Sequence, residues 1–203
     1  MVVSMDVGEL QEACRALGRI VDQTGDKLGA DSVDEDVLDR LVDAVTRAPS
    51  KREDAIANSG SGGVLNPNEG HGLYKNVLGL FERSILPRMS TPRIFRAYAR
   101  LGTWQHKWED AIKAYLDGYR SSSAGTIEKG DNTDLVKWRD AISEVEDIVD
   151  ILSNFGPRIQ GYKWKVQARS IVRTFMGRTR DFEDESEWVR LTKLQDELRK
   201  EDD

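Results

Sequence analysis

The chain has 203 residues, 38% of them hydrophobic, and a formal charge of −6 from 30 basic and 36 acidic side chains. That is enough apolar surface to bury a sizeable core, and the single cysteine, Cys14, excludes an internal disulfide framework. No window approaches the roughly 18 uncharged apolar residues of a membrane span, and Asp6 and Glu9 interrupt any signal-peptide layout, so the expected location is cytoplasmic, with the nucleus also open.

Charge is uneven along the chain. Residues 1–50 carry 11 acids and 5 bases, residues 83–120 carry 8 bases against 3 acids, and residues 151–180 carry 7 bases and no acid. Two basic patches therefore lie in an acidic protein, whose net charge opposes generic nucleic-acid binding.

Helical periodicity dominates, and no stretch shows the alternation of a sheet, so the fold class is all-α. The spacing predicts a helix from Val7 to about Gln23, with Leu10, Ala13, Leu17, Ile20 and Val21 on one face. A second opens near Asp31 or Ser32, turns Val33, Val37, Leu41, Val42 and Val45 inward, and stops before Pro49. Residues 1–49 thus read as a first antiparallel hairpin. Residues 50–72, with "NSGSGG" and "NPNEGHG", read as a flexible loop. Its glycines lack the preceding strand and the lysine-hydroxyl pair of a phosphate loop.

The pattern resumes at Leu73, where Tyr74, Val77, Leu78, Phe81 and Ile85 are helically spaced up to Pro87. Pro92 suits the first turn of a helix running to Leu101, and Trp108 to Arg120 forms its partner, so residues 73–123 make a hairpin with a preceding helix. Residues 124–203 form a C-terminal helical cap. Within it Leu135, Trp138, Ile142, Val145, Val149 and Leu152 repeat at threes and fours up to "FGP", a helix of about 30 Å. That seam suits a coiled-coil dimer or packing within a helical array; three heptads, and neighbours that need cover, favour the array. From Tyr162 to Arg178, Trp164, Ala168, Ile171, Val172 and Phe175 share a stripe, while Lys165, Arg169 and Arg173 line an adjoining face. The last helix, near Ser186 to Lys200, turns Trp188, Leu191, Leu194 and Leu198 inward, and "EDD" is expected to fray.

The stretch from Thr91 to Tyr115 partly fits the signature of a tetratricopeptide unit, a helical hairpin of about 34 residues. With Pro92 as its first position, Phe95, Tyr98 and Ala99 fall where the signature wants large, large and small. Ala111 and Tyr115 give its alanine and aromatic, and Trp108 and Gly118 fit as packing ring and close-approach site. Gly102 and Ser123 depart from it, replacing a large residue and a proline. The rings therefore read mostly as core, with Trp104, in the turn, free to stack on a ligand or fold back. Arg93, Arg96 and Arg100 share one face of the first helix. Guanidinium groups bind carboxylates bidentately, so with Trp104 they form a candidate face for protein partners, an acidic peptide segment in particular. The alternative is a solvated face paired with acids such as Glu109 and Asp110. The second patch, Lys165, Arg169 and Arg173 within residues 163–180, is a candidate RNA contact, or is neutralised by Glu144, Glu146, Asp147, Asp150 and "DFEDESE".

No chemistry assembles from the remaining residues. His71, His106 and Cys14 are too few and too far apart in sequence for a metal set or a nucleophilic triad, so no metal, cofactor or enzyme is expected. The acids of "EVEDIVD" read as a helix surface rather than a cleft pair.

The runs "NPNEGHGLYKNVLGLFERSILPRMSTPRIFRAYARL", "WEDAIKAYLDGYRSSSAG", "DLVKWRDAISEVEDIVDILSNFGPR" and "QARSIVRTFMGRTRDFEDESEW" resemble the C-terminal region of the tetratricopeptide repeat protein 27 family. In fungi that family is named for being essential for maintenance of the cell wall. The resemblance implies a TPR-like α-solenoid of stacked antiparallel hairpins ending in long capping helices. It also implies a non-enzymatic scaffold in chaperone-linked assembly of complexes, a spliceosomal small nuclear ribonucleoprotein among them, with no catalytic or cofactor residues. Members are several times longer, so the chain is expected to be a C-terminal fragment or a truncated product.

Overall fold

The computed structural model describes residues 34–46, 67–89, 91–127 and 134–200, together with helical positions 12, 15, 16 and 19. Apart from those four positions, the helix expected at 7–23 lies outside the described residues, as does the expected loop up to residue 66. Among the described residues all regular structure is helical, as the periodicity predicts. The chain divides into two compact units, Met1–Lys107 and Trp108–Asp203, and the division falls inside the 73–123 segment.

In the first unit, α1 spans Glu35–Thr46. Asp34 opens it by accepting from the Asp36 amide at 2.9 Å, and Glu35 and Asp36 complement the positive end of the helix dipole. Leu38, Leu41, Val42 and Val45 are buried along one stripe, each burial stabilising by about 1.5–3 kcal/mol. Helix α2 spans Pro67–Leu80 and so begins inside the stretch expected to be a loop. Pro67 fits the first turn, where no N–H is missed, and Gly70 and Gly72 each cost only about 1 kcal/mol there. A π-helical turn, Phe81–Ile85, continues it, with the Leu86 amide donating to the Phe81 carbonyl at 2.9 Å. That wider turn brings Ser84 and Ile85 inward beside Tyr74, Val77 and Phe81.

Helix α3, Pro92–Trp104, starts as Pro92 suggests, with the Thr91 hydroxyl accepting from the Ile94 amide at 3.3 Å. Its end is a Schellman cap: the His106 amide donates to Thr103 and the Lys107 amide to Gly102, at 3.0 and 2.9 Å. His106 takes the left-handed position, φ 57°, that such a cap usually gives to glycine, so this histidine is explained by backbone geometry. Helices α1 and α3 run side by side in the same direction: Arg93 lies beside Glu35 and Asp39, and Arg100 beside Asp39 and Asp43. Ile94, Ala97 and Leu101 of α3 join the core made with α1 and α2.

The second unit holds α4 (Trp108–Ser121), the short α5 (Ser123–Thr126), α6 (Leu135–Phe155), α7 (Trp164–Arg178) and α8 (Trp188–Lys200). The two helices of the expected hairpin, α3 and α4, both form, yet each buries its apolar face in its own unit: Ile112 of α4 packs with Ala124, Trp138 and Ile142. Asp134 caps α6 by accepting from the Lys137 amide at 2.8 Å. Trp138, Ala141, Ile142, Val145, Ile148, Val149 and Leu152 are all buried, so the seam of α6 is used within the unit rather than for a coiled coil. Helices α4 and α6 are antiparallel, because Tyr115 stacks on Phe155 while the amide of Ala124, just beyond α4, donates to Glu144 at 2.7 Å. Helices α6 and α8 run in the same direction, tied by Arg139–Glu187 and Arg190–Glu146.

Candidate protein-binding face

Arg93, Arg96 and Arg100 occupy one face of α3, as their spacing requires, and carboxylates of α1 pair with Arg93 and Arg100. The Arg93 Nε donates to Asp39 at 2.8 Å, one terminal nitrogen pairs with Asp36, and the other lies 3.9 Å from Glu35. Arg100 pairs with Asp43 and lies 3.7 Å from Asp39. Hydrogen bonds to Asp36 and Asp39 raise the Arg93 pKa above its ordinary value. The acids come from α1, whereas Glu109 and Asp110 were the partners suggested by nearness in sequence. Glu35, Asp36, Asp39 and Asp43 repeat at helical steps that match those of the arginines, so two parallel helices bring opposite charges into register. Exposure is still substantial, 47% for the Arg93 side chain and 37% for Arg100. Arg96 is exposed.

Trp104 is the last residue of α3 rather than a turn residue. Its ring lies tilted 5.5 Å from Tyr74 and packs, half-buried, against the first core. Phe81 and Tyr98 approach similarly at 5.9 Å, and the Tyr98 hydroxyl donates to Glu82 at 3.0 Å. Rings in this stretch thus serve mainly as packing.

The second basic face is partly engaged. The Arg169 Nε donates to the Leu198 carbonyl at 2.9 Å, satisfying the end of α8, and Lys165 lies 5.8 Å over the Trp164 ring. Arg173 is exposed. Arg178 donates to the Gly125 carbonyl at 3.1 Å. Of the acids expected to neutralise this helix, Glu146 holds Arg190, raising its pKa, and Glu144 accepts from the Ala124 amide. In "DFEDESE", Glu187 pairs with Arg139; its carboxyl lies below the usual range, chiefly through the Ser186 hydroxyl. Burial pushes the Tyr119 phenol up to about 12.

An aromatic cluster with a cation was not singled out by sequence spacing. Trp108 and Tyr115 stack on Phe155 at 5.5 and 6.2 Å, and the exposed Arg158 guanidinium lies 4.7 Å over Trp108. Its parts are more than 30 residues apart, and only the antiparallel pairing of α4 and α6 unites them. Among the described residues no group of three or more His, Cys, Asp or Glu is placed to hold a metal ion, and no helix is long and apolar enough to cross a membrane.

No family model matches the chain, and no solved structure does. Two curated relatives align with 98% of it: a TPR repeat-containing protein of Schizosaccharomyces pombe, 26% identical over 204 residues, and Essential for maintenance of the cell wall protein 1 of Saccharomyces cerevisiae, 22% identical over 210. The chain spans about a fifth of their length, 22% and 21% respectively. Similarity from end to end to a protein named for its tetratricopeptide repeats agrees with the all-α architecture described above.

Proposed function

We propose that the chain is a non-enzymatic section of a helical-repeat scaffold that binds protein partners, with α3 as its partner face. The observation that carries this reading is the arginine ridge on an all-helical unit, in a chain similar along its length to a TPR repeat-containing protein. Each guanidinium has five donors, and Arg93 and Arg100 keep exposed edges after pairing with α1. An acidic peptide segment can thus add carboxylates along Arg93, Arg96 and Arg100, with the half-buried edge of Trp104 as an apolar anchor. Chaperone-linked assembly of complexes, including a spliceosomal small nuclear ribonucleoprotein, in the cytoplasm and nucleus, is the role the family resemblance suggests. Maintenance of the cell wall follows the name of the budding-yeast relative.

The competing reading, RNA contact by residues 163–180, draws on the exposed Arg173 but has Arg169 and Arg178 engaged with carbonyls of the same chain. Fluorescence anisotropy with a labelled acidic peptide and with single-stranded RNA, across a salt series, separates the two. Arg96→Glu is expected to weaken peptide binding roughly tenfold while leaving the helical circular dichroism unchanged, and Lys165→Glu to leave it alone. RNA binding that falls steeply with log salt and is lost in Arg173→Glu supports the competing reading instead. Absence of peptide binding overturns the proposed one.

A further inference from the structure

Thr91 is the only serine or threonine of the chain followed by proline. It is half-exposed and lies where the chain enters α3 in extended geometry, φ −78° and ψ 152°. Its hydroxyl has two tasks. It accepts from the Ile94 amide and donates to Glu35 Oε1 at 2.5 Å, joining the start of α3 to the start of α1. Two residues on, Arg93 reaches Asp36 and Asp39 of the same helix. Thr91 is therefore a hydroxyl from which a new charge would act directly on the start of the α1–α3 ladder.

We propose that Thr91 is a phosphorylation site for a proline-directed kinase, and that a phosphate there releases the N-terminal end of α1 from α3. In the transfer, the bond between the γ-phosphorus of ATP and its bridging oxygen breaks, a bond forms to Thr91 Oγ1, ADP leaves, and the hydroxyl proton passes to the kinase's general base. Access needs Thr91 to leave Glu35 and the first turn of α3 to fray, an opening confined to a helix end. The product cannot donate to Glu35, and about 1.5–2 negative charges now face the carboxylates of Glu35, Asp36 and Asp39. On its own helix the phosphate is well placed, because the amides of Arg93 and Ile94 and the dipole of α3 favour an anion. The Arg93 guanidinium can then exchange Asp36 and Asp39 for phosphate oxygens. Arg100 keeps Asp43, and Leu41, Val42 and Val45 stay in the core, so the release is local to the first turns of α1. This inference stands whether or not an acidic peptide binds α3.

The test incubates the full chain with a proline-directed serine/threonine kinase and ATP, locates the phosphate by mass spectrometry, and follows amide hydrogen exchange. A single phosphate at Thr91 is expected, absent from Thr91→Val and from Pro92→Ala, which keeps the hydroxyl and the helix. Exchange in residues 35–40 should rise roughly tenfold with α6 unchanged, and Glu35→Gln should shrink the rise by removing a repelled charge. Three results overturn the proposal: no phosphate at Thr91, equal phosphorylation of Pro92→Ala, or unaltered exchange in α1 after modification.

Discussion

Gly125→Ala is expected to destabilise the second unit by at least about 3 kcal/mol, seen as a large fall in the urea midpoint of its unfolding. After Ser122 the chain folds back over the last turn of α4, and α5 lies directly against it. A Cβ at position 125 would sit 2.1 Å from the Tyr119 carbonyl oxygen and 2.7 Å from the Arg120 Cα. Both are backbone atoms, so no flexible side chain can swing aside. The Tyr119 carbonyl is further fixed by the Ser122 amide and hydroxyl, at 3.1 and 2.8 Å, and the Gly125 carbonyl accepts from Arg178. Gly177→Ala is the control, since nothing lies within 4 Å of a Cβ there. It should gain about 0.5–1 kcal/mol from helix propensity. Equal stability of Gly125→Ala and the wild type would show that α5 does not approach α4 this closely.

Trp138→Ala should cost about 3–5 kcal/mol, the loss typical of a large ring removed from a closed core. Trp138 has no exposed surface, stacks on Phe182 at 4.8 Å and faces Trp188 at 6.4 Å. It therefore joins α6 to the segment that leads into α8. The indole Nε1 is buried without a hydrogen-bond partner, a state that costs about 1–3 kcal/mol. Trp138→Phe removes that orphaned donor along with part of the ring, so the two changes oppose each other, and the net loss should be only about 1 kcal/mol. Denaturant unfolding of the two variants side by side checks this. A phenylalanine variant as damaged as the alanine one would mean that the N–H is satisfied.

Much of the helical plan was legible in the sequence because local chemistry fixes it. Pro92 after a threonine starts α3, and the three-four spacing from Trp138 to Leu152 is the buried stripe of α6. The hairpin at 92–121 was legible as two helices, but their allegiance to separate cores was not, since periodicity says which face is buried and not against what. The start of α2 was hidden because Pro67, Gly70 and Gly72 read as breakers, although a proline in a first turn is also a helix start. At the candidate face, the spacing placed Arg93, Arg96 and Arg100 together correctly. Their carboxylates lie more than 50 residues upstream, and the excess acid of residues 1–50 against the excess base of residues 83–120 was the available signal. Gly125 gave none, because its need for space arises from a backbone approach that no local pattern encodes.

The pairing of Arg93 with Asp36 and Asp39 sets the parallel register of α1 and α3, shapes the proposed partner face and supplies the lever for Thr91. A charge-swap series measures it directly. Melting temperatures of Arg93→Asp, Asp39→Arg and the double exchange, in low and in high salt, should show both single variants destabilised and the double variant less damaged than the two losses summed, with the coupling weakened by salt. The double variant should stay short of wild type, because position 93 still faces Asp36 and position 39 still faces Arg100. Losses that simply add in the double variant would contradict it.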